Sequence, residues 1–300
     1  ISSRIQVEDT KECIDSILTN VTYDNYEIVL VDNGSTNSSK KDLLKLYEEK
    51  QNIHFIDSRK NLGFAKGNNI GYIFAKTKLN ADFIVLINND TLIKQSMFIQ
   101  EILKKYNETK FHILGPDIIS TKDGMHQNPQ LLTGLSEKDI KMAIFILRIK
   151  LILNYIGADN FLTYLIKLVR KIINIKKENI NIGLNNYWER EQRNIQLHGA
   201  CLIFSPLYVT KYNGLYDRTF MYVEEDILHY IAQKENMITI YSPKIHLYHK
   251  EESTSNILFS SRRKRAFKYK HSIKSFKELL KIRKNNAIYK RNLMNRYIEF

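Results

Sequence analysis

Two single aspartates, one cluster of three carboxylates, a glycine-rich stretch and one histidine are the places in this 300-residue chain where side-chain type and spacing suggest chemistry. Asp32 closes the apolar run Tyr26–Val31 and opens Asp32-Asn33-Gly34-Ser35. A carboxylate at a strand end accepts hydrogen bonds from a base or ribose, or it caps a turn, the usual work of an Asp-Asn-Gly run. Asp90 ends Asn88-Asn89-Asp90, directly after the apolar Phe83–Ile87. At the lip of a sheet such a carboxylate either supports a turn or holds a hard divalent cation, and the cation a diphosphate. Glu224-Glu225-Asp226 follow Phe220–Val223. Three successive carboxylates suit a helix N-terminus through the helix dipole. Their crowding also raises a pKa, as a general base requires. Gly63, Gly67 and Gly71 punctuate Asn61–Gly71; they let a phosphate approach backbone N–H groups at a helix start, or merely cap the helix. His249 follows an apolar run and reads as a metal ligand or a satisfied surface histidine.

The elements that would position these groups alternate. Strands are predicted at Tyr26–Val31, Ile53–Ile56, Phe83–Ile87 and from His112. Helices are predicted at Ser38–Lys50, Ala65–Lys76 and Gln95–Tyr106. Alternation of this kind implies a mainly parallel sheet covered by helices on both faces, with ligands bound beyond the carboxyl ends of the strands. Glu8–Leu18 is predicted helical with Asp9 as N-cap and Glu12 three residues on. A fold of this kind places a strand before that helix, and in Ile1–Val7 this strand is expected to be missing or altered. Ala143–Ile156 is apolar but interrupted by Arg148, Lys150 and Asn154. Asn160–Lys177 divides into one polar, basic face and one apolar face, which fits a helix packed on the body or lying on a membrane. After Trp188 come a strand at Ala200–Phe204, a helix at Glu224–Lys234 and a strand at Ile238–Tyr241, ended by Ser242-Pro243. A basic helix follows from Arg262, with Tyr269, Ile273, Phe276 and Leu280 in one stripe.

Composition narrows the function classes. Two cysteines exclude a disulfide framework or a zinc cluster and favour a reducing compartment. No leader is visible, and no uncharged apolar run reaches the roughly 18 residues of a membrane span. The net charge of +14 is concentrated: residues 261–300 hold 14 Lys/Arg against two Glu, and residues 138–177 hold nine against two Asp. Such segments seek an anionic partner or form solvated faces. The tail carries no nucleic-acid motif, so nucleic acid is not an expected partner. The absence of Gly-x-Gly-x-x-Gly after the first strand argues against a nicotinamide enzyme.

In order and spacing, Val31–Thr36, Asn61–Gly71, Phe83–Thr91, His198–Phe204, Asp217–Leu228 and Leu247–Ser255 resemble family 2 glycosyltransferases of the GT-A fold, closest to the rhamnosyltransferase-like branch of bacterial surface polysaccharide synthesis. The resemblance covers about Glu8 to Ser255. It implies a GT-A domain over 1–255, with a helical insertion at 138–190 and a basic helical tail at 256–300. It implies that Asp32 contacts the base and that Asn61, Gly63, Lys66, Asn68 and Asn69 line the nucleotide-sugar pocket with Asn88 and Gly199. Asp90 and His249 are then the ligands of Mg²⁺ or Mn²⁺. Asp226 is the implied catalytic base, with Glu225 sharing its role. Asn88 departs from the family's first metal-motif aspartate, and Ile231 stands where an arginine is common.

The resemblance thus implies an inverting, metal-dependent transfer of a sugar from a nucleoside diphosphate to a hydroxyl of a saccharide or polyprenyl-linked acceptor. The expected place is the cytoplasmic face of the plasma membrane, on anionic lipid, with a second copy of the chain as a further expected partner. The rival expectation is a catalytically weak, membrane-peripheral scaffold that retains the fold.

Overall fold

The computed structural model describes residues 2–3, 7–35, 39–130, 134–159, 187–250 and 261–294. The predicted amphipathic helix Asn160–Lys177 and the end of the last motif, 251–255, lie outside these residues. A short β1 (Ser2–Ser3) and helix α1 (Val7–Asn20) open the chain. They are followed by β2 (Ile28–Asp32), α2 (Ser39–Tyr47), β3 (Ile53–Asp57), α3 (Phe64–Thr77) and β4 (Ile84–Ile87). Next come β5 (Thr91–Leu92), α4 (Phe98–Thr109), β6 (Ile113–Ser120) and α5 (Glu137–Tyr155). Beyond the undescribed stretch lie β7 (Gln192–Arg193), β8 (Cys201–Phe204), α6 (Pro206–Val209), α7 (Glu224–Lys234), β9 (Thr239–His249), α8 (Arg262–Lys284) and α9 (Ala287–Met294).

The sheet is mixed, not mainly parallel. β1, β2 and β3 form a parallel three-stranded sheet. The second sheet runs β4-β8-β6-β9-β5, and within it only β6 and β9 are parallel. β8 enters antiparallel between β4 and β6, and this insertion breaks the parallel order that alternation implies. β2, β4 and β8 are nearly continuous apolar runs, as burial on both faces demands; β8 is buried at all four positions. The strand expected to be missing or altered is represented among the described residues by β1, paired to Val31 and Asp32. Below it, a cavity of about 490 Å³ separates β2 from β4, lined by Val29, Gly71, Ala75, Ile84 and Leu86.

Two predicted boundaries move. β9 does not stop at Ser242-Pro243 but runs on to His249. Ser242 pairs with Pro116 and His246 with Asp117, so Pro243 sits in a bulge where its missing N–H costs no ladder bond. α1 already starts at Val7, so Asp9 lies inside its first turn, where it bonds the Lys250 ammonium at 2.8 Å. α5 begins at Ser136, whose hydroxyl and the Asp139 carboxylate form a capping box.

α8 is no detached tail. Tyr269 and Ile273 of its stripe are buried, and Phe276 and Leu280 pack on the core. Arg265 meets the fully buried Asp159 at 2.6 Å, and Asn154 and Tyr269 also donate to that carboxylate. The helix therefore belongs to the body and locks α5 in place.

Candidate active site

Two loops interlock above β2. Asp32 Oδ1 accepts from the Ser35 N–H at 2.8 Å, which closes an Asx turn. Asn33 then reaches into the glycine-rich loop: its Nδ2 donates to the Gly63 carbonyl and its Oδ1 accepts from Leu62. Gly63 stands at φ 87°, and a Cβ there would lie 2.2 Å from the Phe220 carbonyl oxygen. Only glycine permits that approach. The contact carries the loop to the acidic cluster, since Phe64 N–H also donates to Phe220. Sequence reasoning passed over Asn33, the residue that ties the two motifs together.

The expected nucleotide-sugar residues divide into two groups. Asn61 and Lys66 are exposed at the loop. Asn68 is buried and donates to the Phe64 carbonyl. Asn69 is also buried, and both ends of its amide are taken by Leu215: Nδ2 donates to its carbonyl and Oδ1 accepts its N–H. These two asparagines act as internal clamps in this structure, holding α3 and the 214–215 turn. Asn88 is half-buried, its backbone N–H bonded to Ala200.

Asp90 and His249 come together at the other lip. β5 pairs Thr91 with His249, which brings His249 Nε2 to 3.2 Å from Asp90 Oδ1. On its other side His249 Nδ1 lies 2.8 Å from Gln127 Oε1. An amide oxygen only accepts, so Nδ1 carries a proton there, and Nε2 is the atom presented to the carboxylate. An imidazole nitrogen and a carboxylate oxygen fit a hard or borderline divalent cation, with the remaining positions left for phosphate oxygens. Among the described residues no group of three or more His, Cys, Asp and Glu gathers to hold a metal unaided.

His198 stands beside this pair, with ring centroids 6.0 Å from His249. Burial and the neighbouring His249 push it down to about 4, against the pull of Asp90, so its ring is neutral near pH 7. The next residue, Gly199, packs on Glu225; a Cβ on it would lie 2.6 Å from Glu225 Oε1.

The acidic cluster follows a strained turn. Tyr222 and Val223 have φ of 70° and 73°, a conformation unfavourable for a β-branched residue. α8 buttresses the turn: Ser275 donates to the Met221 carbonyl, and Phe267 and His271 pack on the Phe220 ring. Burial raises all three carboxyls, Glu224 to about 8 and Asp226 to about 6, and Glu225 adds its repulsion to both neighbours. The Gly199 N–H pulls Glu225 the other way. Asp226 lies near Gln196, and its buried Oδ1 has no hydrogen bond among the described residues. Thus Glu225, not Asp226, is the carboxylate against Gly199.

The sequence profile of Glycosyl transferase family 2 matches residues 6–181, more than half of the chain. The chain belongs to glycosyl transferase family 2. Low-salt glycan biosynthesis hexosyltransferase Agl10 of Haloferax volcanii is 30% identical over 102 residues, which is 34% of this chain and 31% of that protein. Glycosyltransferase GlyA of Streptococcus pneumoniae serotype 4 is 27% identical over 146 residues, 42% of this chain and 20% of its own. The matched stretches thus span under a third of these relatives. The mannosyltransferase PcManGT of Pyrobaculum calidifontis, solved with GDP-Man and Mn²⁺, superposes with a TM-score of 0.52 at 10% identity, over 87% of this chain and 59% of that one. This likeness supports the GT-A fold.

Proposed function

We propose that this family 2 glycosyltransferase moves a sugar from a nucleoside diphosphate to a hydroxyl of a glycan or lipid-linked acceptor, with inversion. The observation that carries the reading is the Asp90–His249 pair at 3.2 Å on the same rim as the Gly199–Glu225 contact. Asp90 and His249 are the residues that would hold a divalent cation, and such a cation would supply neutralisation of diphosphate charge. Asp32, at the end of β2, borders the base and ribose, and the exposed Asn61 and Lys66 border the rest of the donor.

The proton of the acceptor hydroxyl passes to the carboxylate pair Glu225–Asp226. The acceptor oxygen bonds the anomeric carbon as the bond from that carbon to the diphosphate oxygen breaks. The resemblance gives the base role to Asp226; the contact of Glu225 with Gly199 favours Glu225, whose burial raises its basicity. The Glu225→Gln and Asp226→Asn variants separate the two. Glu225→Gln is expected to lose about 10²–10⁴-fold in kcat, the usual worth of a general base, with donor affinity kept. The assignment exchanges if Asp226→Asn alone shows that loss.

We further place the enzyme on the cytoplasmic face of an anionic membrane. Two surfaces support this. On α8, Arg263, Lys270, Lys274, Lys277 and Lys281 are exposed. On α5, Met142, Phe145, Ile152 and Tyr155 are exposed apolar residues beside the exposed Lys138, Lys141 and Arg148. Each cation near an anionic leaflet adds about 1 kcal/mol. No helix of the described residues is long and apolar enough to cross a membrane. An acceptor in glycan synthesis is supported by the similarity to Agl10, a glycan biosynthesis hexosyltransferase.

A further inference from the structure

His198 was not among the residues that sequence reasoning singled out, although His198-Gly199-Ala200 opens one of its motifs. Its surroundings fix its chemistry. The Ala200 backbone N–H donates to His198 Nδ1 at 3.1 Å. A backbone N–H cannot accept, so Nδ1 must offer a lone pair, and the single ring proton of the neutral imidazole sits on Nε2. The His198 main chain is held as well: its own N–H donates to Asn128 Oδ1, and Asn128 is anchored in turn on the Pro116 carbonyl. Nε2 has no hydrogen-bond partner among the described residues, and it is not one of their sealed, unsatisfied polar atoms. A donor of fixed direction therefore faces space that a ligand can enter.

The position of that donor matters more than its presence. On one side the ring lies edge-on to His249, the proposed cation ligand, with Asp90 beyond it. On the other side the very next residue packs on Glu225. A leaving diphosphate bound by the cation must have the acceptor's base across the sugar from it. His198 adjoins both places: its ring lies against His249, and its chain neighbour Gly199 lies against Glu225. A neutral donor suits the spot: an imidazolium beside a divalent cation would be repelled, whereas a neutral N–H adds a hydrogen bond with no charge penalty.

We propose that His198 Nε2–H donates a hydrogen bond to a diphosphate oxygen of the sugar donor, and that this bond strengthens as the diphosphate leaves. The proposal rests on the glycosyltransferase reading above and adds a residue to it. Charge grows on the diphosphate in the transition state, so a donor aimed at it contributes more to kcat than to ground-state binding.

The test uses the full chain with MnCl2 and three variants. His198→Leu removes the donor at similar bulk, His198→Gln keeps an N–H donor, and Asp90→Ala removes a proposed cation ligand. Binding of UDP and GDP is measured by calorimetry, and kcat and KM are measured with the nucleotide-sugar that the wild type turns over. His198→Leu is expected to bind the diphosphate several-fold more weakly and to lose about 10²-fold in kcat, with KM changed much less and the thermal melt unchanged. His198→Gln is expected to recover most of both losses. Diphosphate affinity and kcat within twofold of wild type in His198→Leu would overturn the proposal. So would equal losses in the Leu and Gln variants, which would mark a packing role for the ring. If neither UDP nor GDP binds the wild type, and Asp90→Ala changes nothing, the functional reading fails and takes this proposal with it. If the wild type binds in a Mn²⁺-dependent way that Asp90→Ala abolishes while His198→Leu behaves as wild type, the proposal on His198 fails alone.

Discussion

At the scale of single residues, the site is a set of groups whose pKa values are pushed apart by their surroundings. Burial raises Glu224 to about 8 and Asp226 to about 6. A base must be deprotonated to work, so kcat is expected to rise with pH on an acid limb that lies above the ordinary carboxylate range, the direction in which burial moves Glu225. Because the carboxylates repel one another, the apparent values belong to the cluster. Asp226→Asn removes the carboxyl that Glu225 repels and should shift the acid limb in a pH–rate profile; an unmoved limb would uncouple Asp226 from the base. Gly199 is a finer probe. Gly199→Ala puts a Cβ 2.6 Å from the present position of Glu225 Oε1, so that carboxylate must swing away. Since a misplacement of about 1 Å costs on the order of 10²-fold, kcat should fall steeply while the melting temperature holds. A variant with wild-type kcat would show that Glu225 is not held against Gly199 for catalysis.

At the scale of elements, α8 has the largest unforeseen role. Its composition reads as a basic tail, yet its buried side carries Tyr269 and Ile273 into the core, and its Phe267, His271 and Ser275 brace the turn that presents the acidic cluster. The Arg265–Asp159 pair fixes its first turns. Asp159 is held well below the usual carboxylate range by the Arg265 guanidinium. A depressed folded-state pKa gives stability that is present above about pH 4 and lost as pH falls through the folded value. Asp159→Asn should therefore cost about 3 kcal/mol at pH 7, because it removes the buried anion of the pair and leaves the Arg265 charge unpaired, and much less at pH 2. Denaturant titrations at the two pH values check this; an equal cost at both would remove charge from the explanation. The sequence disclosed β2, β3, β4, β6 and the helices between them, because continuous apolar runs and period-3.6 patterns are local; β5 (Thr91–Leu92) was too short to show in it. It did not disclose the antiparallel insertion of β8, which depends on a partner more than 80 residues away at β6. Nor did it show that Pro243 lies within β9, since a bulge is visible only when the facing strand is known. Asp90 and Glu225 were legible from motif and type. Asn33, Gln127 and His198 were not, for their roles arise from contacts across the fold.

At the scale of the whole molecule, charge and a packing defect each make a prediction. Reversing Lys270, Lys274 and Lys277 to glutamate leaves the buried side of α8 intact, unlike removal of the helix. Sedimentation with anionic vesicles should then fall strongly for the variant, and wild-type binding should fall at high salt. Equal sedimentation of both proteins would remove α8 from the membrane reading. The cavity between β2 and β4 bears on stability instead. Ala75→Leu adds apolar volume to its lining and should stabilise by about 1 kcal/mol, or about 2–4 °C in Tm; a lowered Tm would mean that this space cannot take the added bulk. The central claim, a donor site built on Asp90 and His249 in a working glycosyltransferase, is met most directly by one measurement. A panel of nucleotide-sugars is offered to the wild type and to Asp90→Ala, with and without MnCl2, and release of nucleoside diphosphate is followed. The account predicts release from at least one donor by the wild type, only with the metal, and none by Asp90→Ala, with the fold of the variant retained by circular dichroism. Metal-independent release, or full release by Asp90→Ala, would contradict it.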